Sequence, residues 1–317
     1  PAGDFAVGAA AAREDLAERD AARVGDVGHR ALHHALRGGV VTELTAGVQA
    51  PADDRSAGPA GAGEVLAGGH LGGGGAHACA VRATGQVVCW GYNAYGQLGD
   101  GSATARTVPV PILTVGDAVE VASGANHTCA RRRDGTVLCW GYNAQGQLGD
   151  GTRTNRTAPV AVSGLTEAVE LTAGANHTCA RRSNGSVVCW GYNLYGQLGD
   201  STLTTRNTPT PVPVLMDAVQ VEAGANSTCA RRASGALLCW GYNGYGQVGD
   251  NTRTQRPFPT SVLLLTSAQH VEQGDDFGCA VRTDGTVTCW GRGDYGQLGD
   301  GTLTSRNSAN RAIFGLP

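Results

Sequence analysis

The amino-acid sequence predicts an all-β protein, a β-propeller of four-stranded blades, on three observations. One pattern, NHTCARRRDGTVLCWGYNAQGQLGD at residues 126–150, returns at 76–100, 176–200, 226–250 and 276–300, each copy fifty residues on and without an insertion. A fixed period of roughly 20–50 residues marks stacked supersecondary units. Each copy also carries about four short β-forming runs separated by turn residues, and four-stranded units in radial repetition are propeller blades. Finally, 49 glycines, four Phe and one Met suit short strands and long turns around a core of Val, Leu, Ala and Trp. Five repeats can close a five-blade ring or form an open arc, and a linear solenoid of stacked strands is the structural alternative.

Residues 1–63 stand outside the repeat. They are rich in Ala, Gly, Arg and Asp, and residues 9–36 have helix propensity that Gly25 and Gly28 interrupt. Residues 51–63 (PADDRSAGPAGAG) read as linker. A poorly ordered or partly helical low-complexity segment is expected, with His29, His33 and His34 on a solvated helix rather than on a metal.

The repeats divide 64–317 into blades at 64–113, 114–163, 164–213, 214–263 and 264–317. The first lacks a clean inner strand, because Glu64-Val65-Leu66 is followed by GGHLGGGG. The three middle copies agree best. The fifth departs at Gln273-Gly274-Asp275-Asp276-Phe277 and at Arg292-Gly293.

In the second copy the expected strands are roughly 118–122, 127–132 and 136–140, with 108–112 or 160–162 as the fourth. The hairpin between the second and third can be placed in register. A two-residue Asp-Gly loop would set Cys129 opposite Trp140. A three-residue loop, a type I turn closed by a left-handed glycine, pairs 132 with 136 and sets Cys129 opposite Cys139. Directly opposed positions have Cβ atoms about 4.5–5.5 Å apart, near disulfide range, and glycine recurs at 85, 135, 185, 235 and 285, as a positive φ demands. The second register is preferred. It pairs Cys79 with Cys89, Cys129 with Cys139, Cys179 with Cys189, Cys229 with Cys239 and Cys279 with Cys289. The spacing of these ten cysteines suits zinc poorly, so disulfides and an oxidising compartment are expected.

Five copies of AVEVASGANHTCARRRDGTVLCWGYNAQGQLGDGT with a following Pro-Val strand resemble the regulator of chromosome condensation repeat, which the bacterial β-lactamase-inhibitor propellers also use. The resemblance covers residues 64–317. It implies a propeller, usually of seven blades, so that five repeats would be part of a seven-blade ring. It also implies either an inhibitor or surface-binding module, or a guanine-nucleotide exchange regulator of a small GTPase. The cysteine pair in every repeat departs from the family, and with the lack of basic arms it argues against the second.

Net charge is −3 and all 24 basic residues are arginine, which gives no electrostatic footprint for nucleic acid. No run of 18 apolar residues spans a membrane. The chain starts at Pro1 without a signal-like apolar core, and the N-terminus is expected to be incomplete. An extracellular, cell-surface or periplasmic site is expected.

An active site needs unlike groups converging, whereas this sequence repeats like groups; no enzyme, cofactor or metal is expected. His77, His127 and His177 share one position with Ser227 and Phe277, which reads as packing. Asp100 and Arg106, Asp150 and Arg156, Asp200 and Arg206, Asp250 and Arg256, and Asp300 and Arg306 stand six residues apart and are expected to clamp one loop each. Gln97, Gln147, Gln197, Gln247 and Gln297 are expected to bond backbone in the same loop, and the five tryptophans, from Trp90 to Trp290, to pack between blades. Tyr92, Tyr142, Tyr192 and Tyr242 repeat as packing residues. The position three residues on varies (Tyr95, Gln145, Tyr195, Tyr245, Tyr295), and tyrosine in loops on a rigid scaffold is a common contact residue. These five are the candidate partner-binding set. The expected function is an exported, non-enzymatic module, monomeric, that binds another protein; a carbohydrate-binding propeller is the alternative. Asn126-His-Thr, Asn176-His-Thr and Asn226-Ser-Thr match the glycosylation sequon but belong to the repeated turn.

Overall fold

A computed structural model describes residues 70–311. The expected helix of 9–36, its histidines and the run Glu64-Val65-Leu66 lie outside the described residues. What is described is β-structure throughout, and no helix in it is long and apolar enough to cross a membrane.

Twenty strands form five antiparallel four-stranded sheets, each in sequence order. Blade 1 holds β1 (Leu71–Gly73), β2 (His77–Val81), β3 (Val87–Gly91) and β4 (Arg106–Ile112). Blade 2 holds β5 (Ala118–Ser123), β6 (His127–Arg132), β7 (Val137–Gly141) and β8 (Arg156–Ala161). Blade 3 holds β9 (Ala168–Ala173), β10 (His177–Arg182), β11 (Val187–Gly191) and β12 (Arg206–Pro211). Blade 4 holds β13 (Ala218–Ala223), β14 (Ser227–Arg232), β15 (Leu237–Gly241) and β16 (Arg256–Ser261). Blade 5 holds β17 (Ala268–Gln273), β18 (Phe277–Arg282), β19 (Val287–Gly291) and β20 (Arg306–Arg311). This is the propeller architecture that the repeats predict. The inner strands pack in the order β1, β5, β9, β13, β17, and β17 has no comparable packing against β1. The five blades make an open arc.

Two strands differ from expectation. β1 lies inside GGHLGGGG, where no clean strand is expected. A strand needs backbone, and here side chains would obstruct it, since a Cβ on Gly72 would stand 2.8 Å from Ser123 Oγ of the next blade. The outer strand of blade 2 begins at Arg156, four residues before the expected 160, because Arg156 pairs with Gly141 beyond a bulge.

The hairpin takes the three-residue loop: Arg132 N donates to Thr136 O at 2.9 Å, Gly135 has φ +80°, and Cys129 stands opposite Cys139. All five cysteine pairs are closed as disulfides with Cα atoms 4.1 Å apart. Strand alternation then sends the side chains of each hairpin to two different neighbours. Cys129, Cys139 and Val137 face blade 3, packing with Leu171, Ala180, Val188 and Trp190. Ala130, Leu138 and Trp140 face blade 1, packing with Cys79, Cys89, Val87 and Leu98. The core is therefore a series of layers between blades.

Each junction is fastened in the same way. Trp140 Nε1 donates to Gln97 O at 2.9 Å, and Trp190, Trp240 and Trp290 do the same to Gln147, Gln197 and Gln247. These four indoles are fully buried. Burying such a ring with its N–H bonded is among the larger single contributions a side chain can make.

Candidate functional site

The loop after the third strand of each blade is held by a dense set of side-chain hydrogen bonds. In blade 2 it leaves the sheet with Tyr142 N donating to Asn126 O at 2.8 Å. Asn143 then turns inward and is completely buried. Its Oδ1 accepts from Leu148 N at 3.0 Å, and its Nδ2 donates to Asp150 Oδ1, Thr152 O and Thr154 O at 3.1–3.3 Å. A buried amide must find such partners. Sequence reasoning missed this residue, although an asparagine recurs at 93, 143, 193 and 243, and a polar side chain that repeats without exposure is the signal.

The five Asp–Arg pairs close the same loops, with N···O separations of 2.6–2.9 Å. Asp150 Oδ1 takes both the backbone N–H and the hydroxyl of Thr152, and Oδ2 takes Arg156. Burial pushes the Asp150 carboxyl up, but the hydrogen bonds from Thr152, Arg156 and Asn143 outweigh it and hold the group below the usual carboxylate range. For Asp300 the bonds from Thr302 and Arg306 bring it down to about 2. The side chains of Gln97, Gln147, Gln197 and Gln247 each accept from the backbone two residues before and donate across the junction: Gln97 Nε2 reaches Asn126 Oδ1 at 3.3 Å. The sequon residue Asn126 is thereby part of the junction. In blade 5, Gln297 makes the first of these bonds, from Tyr295 N.

Loops held this firmly present their tyrosines on one face of the arc. Tyr92 meets Tyr95 edge-on, and Tyr95 meets Tyr142 of the next blade at 4.9 Å. A second run links Tyr192, Tyr195, Tyr242 and Tyr245 at 5.8, 5.0 and 6.3 Å. Arg292 then lies between Tyr245 and Tyr295, 4.8 and 5.1 Å from the two ring centroids. Gln145 stands between the two runs. The candidate contact residues Tyr95, Tyr195, Tyr245 and Tyr295 therefore form a ladder of two runs with Tyr92, Tyr142, Tyr192 and Tyr242, the set expected to be packing. Both tyrosine positions share the surface. The ladder is uncharged over four blades, and charge enters at blade 5, where Arg292 pairs with Asp294 at 3.1 Å and lies 3.7 Å from Asp276. Burial pushes Asp276 above its ordinary range.

The histidines lie elsewhere, in the junctions. His77, His127 and His177 Nε2 meet Thr128, Thr178 and Thr228 Oγ1 of the next blade at 2.8–2.9 Å. Each threonine hydroxyl already donates to a glutamine carbonyl at 2.8–2.9 Å, so the histidine must be the donor, neutral and with its proton on Nε2. Nδ1 is left buried without a partner in all three. Burial lowers His77 to about 4, and His127 and His177 to about 3. A buried neutral imidazole that spends its only N–H on a structural bond is built for packing. Among the described residues no group of His, Cys, Asp and Glu has the geometry of a metal site.

The family model for the RCC1-like domain matches residues 46–316. The fold is similar to the crystal structure of human WBSCR16, with a TM-score of 0.68 and 21% identity over 77% of this chain and 66% of that one. It is also similar to yeast RCC1 (Prp20) bound to Kap60, with a TM-score of 0.67 and 22% identity over 75% of this chain and 59% of that one. A further Prp20p structure from Saccharomyces cerevisiae, whose description includes binding to Gsp1p and histones, matches as well (TM-score 0.67, 22% identity, 75% and 61% coverage). The chain thus spans about three fifths to two thirds of the length of these structures. No curated protein matches it by sequence.

Proposed function

From the premise that this chain belongs to the RCC1-like domain family, we propose that it is a non-enzymatic module that captures another protein through the tyrosine-lined face of its arc. The ladder is the observation that carries this reading. Tyrosine offers large, rigid contact area at a small entropic cost, and loops on a rigid scaffold are where binding residues concentrate. Five disulfides among the described residues support a place outside the reducing cytosol, and we include export in the proposal.

Carbohydrate binding would use the same aromatics, but it favours open ring faces. Several rings here meet edge to face at 75–76°, so in each such pair one ring's face is covered by its neighbour's edge and is not free to stack on a sugar. Exchange on a small GTPase rests on the fold likeness alone. The test is affinity capture from culture medium and cell surface with the full chain and with the double variant Tyr195→Ala/Tyr245→Ala. One dominant protein held by the parent and lost from the variant supports the proposal. Equal retention by both, or binding to a glycan array with no protein captured, overturns it.

A further inference from the structure

The loops that carry the tyrosines share one frame, but the side chains outside that frame change from blade to blade. Thr154, Thr254 and Thr304 N each donate to the hydroxyl two residues before at 3.3 Å. The residue between, at 103, 153, 203, 253 and 303, is Ala, Arg, Leu, Arg and Leu. It lies beside the tyrosine turn, since a Cβ on Gly296, the residue after Tyr295, would stand 3.6 Å from Leu303 Cδ2. Arg153 and Arg253 are exposed, and neither makes an ion pair or side-chain hydrogen bond among the described residues. Leu203 is 43% exposed, and the same loop adds Leu194, 56% exposed, where the other blades carry Ala94, Ala144, Gly244 and Asp294. Apart from the clamp aspartates, the loops 92–105, 142–155, 192–205 and 242–255 hold no charge except these two arginines, and the adjoining turns 74–76, 124–126, 174–176 and 224–226 hold none. Blade 5 has the opposite sign, with Asp275, Asp276 and Asp294 against the single Arg292.

We propose that the tyrosine face takes an acidic polypeptide segment, laid across blades 2 to 4 with carboxylates at Arg153 and Arg253 and an aliphatic side chain between them on Leu194 and Leu203. This rests on the function proposed above and names the chemistry of the partner. The order of the blades sets an arginine on each side of the two leucines, so the complementary stretch is acidic, then apolar, then acidic. A guanidinium fork matches a carboxylate with two parallel N–H bonds. Because no described carboxylate neutralises these two, their field draws an anionic partner onto the neighbouring rings. Blade 5 limits the segment, for its carboxylates would repel a further acidic residue, and that repulsion fixes the register along the arc. The loops do not need these side chains for their own shape. Blade 1 keeps the same hydrogen bond around Ala103, from Thr104 N to Ser102 Oγ at 3.2 Å, and blade 2 keeps the buried asparagine network with Ala144 in place of leucine. A sulfated polysaccharide would share the attraction to arginine, but it offers nothing apolar to cover the leucines.

Selection of random dodecapeptides on the immobilised full chain tests the proposal. Recovered peptides should carry Asp or Glu on both sides of Leu, Ile, Val or Met. The tightest of them, labelled with a fluorophore, is then titrated against the parent and its variants in rising sodium chloride. Arg153→Gln/Arg253→Gln should weaken binding roughly tenfold and remove most of its salt dependence. Arg153→Glu/Arg253→Glu brings like charges together and should weaken it about a hundredfold or more. Leu194→Asp/Leu203→Asp should weaken it as well, and Tyr195→Ala/Tyr245→Ala should abolish it. The arginines and leucines are exposed, so thermal midpoints of their variants should match the parent. Recovered peptides with no acidic enrichment, or acidic peptides indifferent to the arginine variants, overturn the proposal. If those peptides still need Tyr195 and Tyr245, the protein-binding reading of the face stands without it; if they ignore the tyrosines too, both fall. A chain that recovers no peptide, or that binds dextran sulfate and ignores acidic peptides, also overturns it.

Discussion

Between blades 2 and 3 a buried polar line runs from His127 to the Thr178 hydroxyl and on to the Gln147 carbonyl. Between blades 4 and 5 the same space is filled differently: Ser227 Oγ lies 3.4 Å from Gln273 Oε1, Gln273 Nε2 points at Cys229 Sγ, and Gly278 stands where threonine would be. A Cβ at 278 would strike the Gln273 amide and the Trp290 ring. Both junctions keep the tryptophan-to-carbonyl bond and the opposed disulfide. The difference teaches that tryptophan, disulfide and strand pairing are the frame of a junction, whereas the polar seal is one of several fillings that satisfy it.

The largest effect that separates the two kinds of junction is acid sensitivity. His77, His127 and His177 have folded pKa values of about 3 to 4, below the ordinary 6.5, so the unfolded chain takes the proton first. Their contribution is fully present above about pH 6.5 and is lost as pH falls towards 4, at about 1.4 kcal/mol per pH unit for each histidine and about 4 for the three. The clamp aspartates, also depressed, add loss only below their own unfolded range near 4. Urea midpoints between pH 7 and 4.5 should therefore fall steeply. The triple variant His77→Phe/His127→Phe/His177→Phe, which borrows the phenylalanine of position 277, should flatten that slope; an unchanged slope would mean the histidines are not the cause.

Next in size is the tryptophan. Trp190→Ala and Trp290→Ala should each cost about 3–5 kcal/mol, equally across the two fillings, because the indole belongs to the frame. Trp90→Ala should cost far less, as its ring is half-exposed. Denaturant unfolding of the three variants checks this ranking, and a Trp290→Ala loss much below that of Trp190→Ala would separate the frames of the two junctions. Smaller still is one disulfide. Cys179→Ala/Cys189→Ala opens a short loop and should cost about 2–3 kcal/mol by the chain-entropy argument, with the blade retained by circular dichroism. Collapse of the whole arc would show that the sulfur bridge does more than restrain one hairpin.

The blades were legible because the fifty-residue period leaves no freedom in counting, and because only one hairpin length brings Cys129 and Cys139 to opposed positions. Other parts were hidden for physical reasons. β1 carries almost no side-chain pattern, since the neighbouring blade leaves room for little beyond backbone at Gly72. The start of β8 at Arg156 depends on a bulge that pairing produces and composition does not announce. Asn143 looks like an ordinary loop residue until its amide is seen holding four groups at once. For the tyrosines, the two repeated positions look separate along the chain, and only curvature between blades brings Tyr95 onto Tyr142 and Tyr195 onto Tyr242.

The proposed function assigns shape to the sealed junctions and recognition to the aromatic face, and that division is the claim to test most directly. The measurement is partner capture and thermal midpoint determined together on Tyr195→Ala/Tyr245→Ala. The account predicts that capture is lost while the midpoint stays within about 2–4 °C of the parent, the shift expected of about 1 kcal/mol in a chain of this size. Capture that persists, or that fades only in step with a collapsing midpoint, would contradict it.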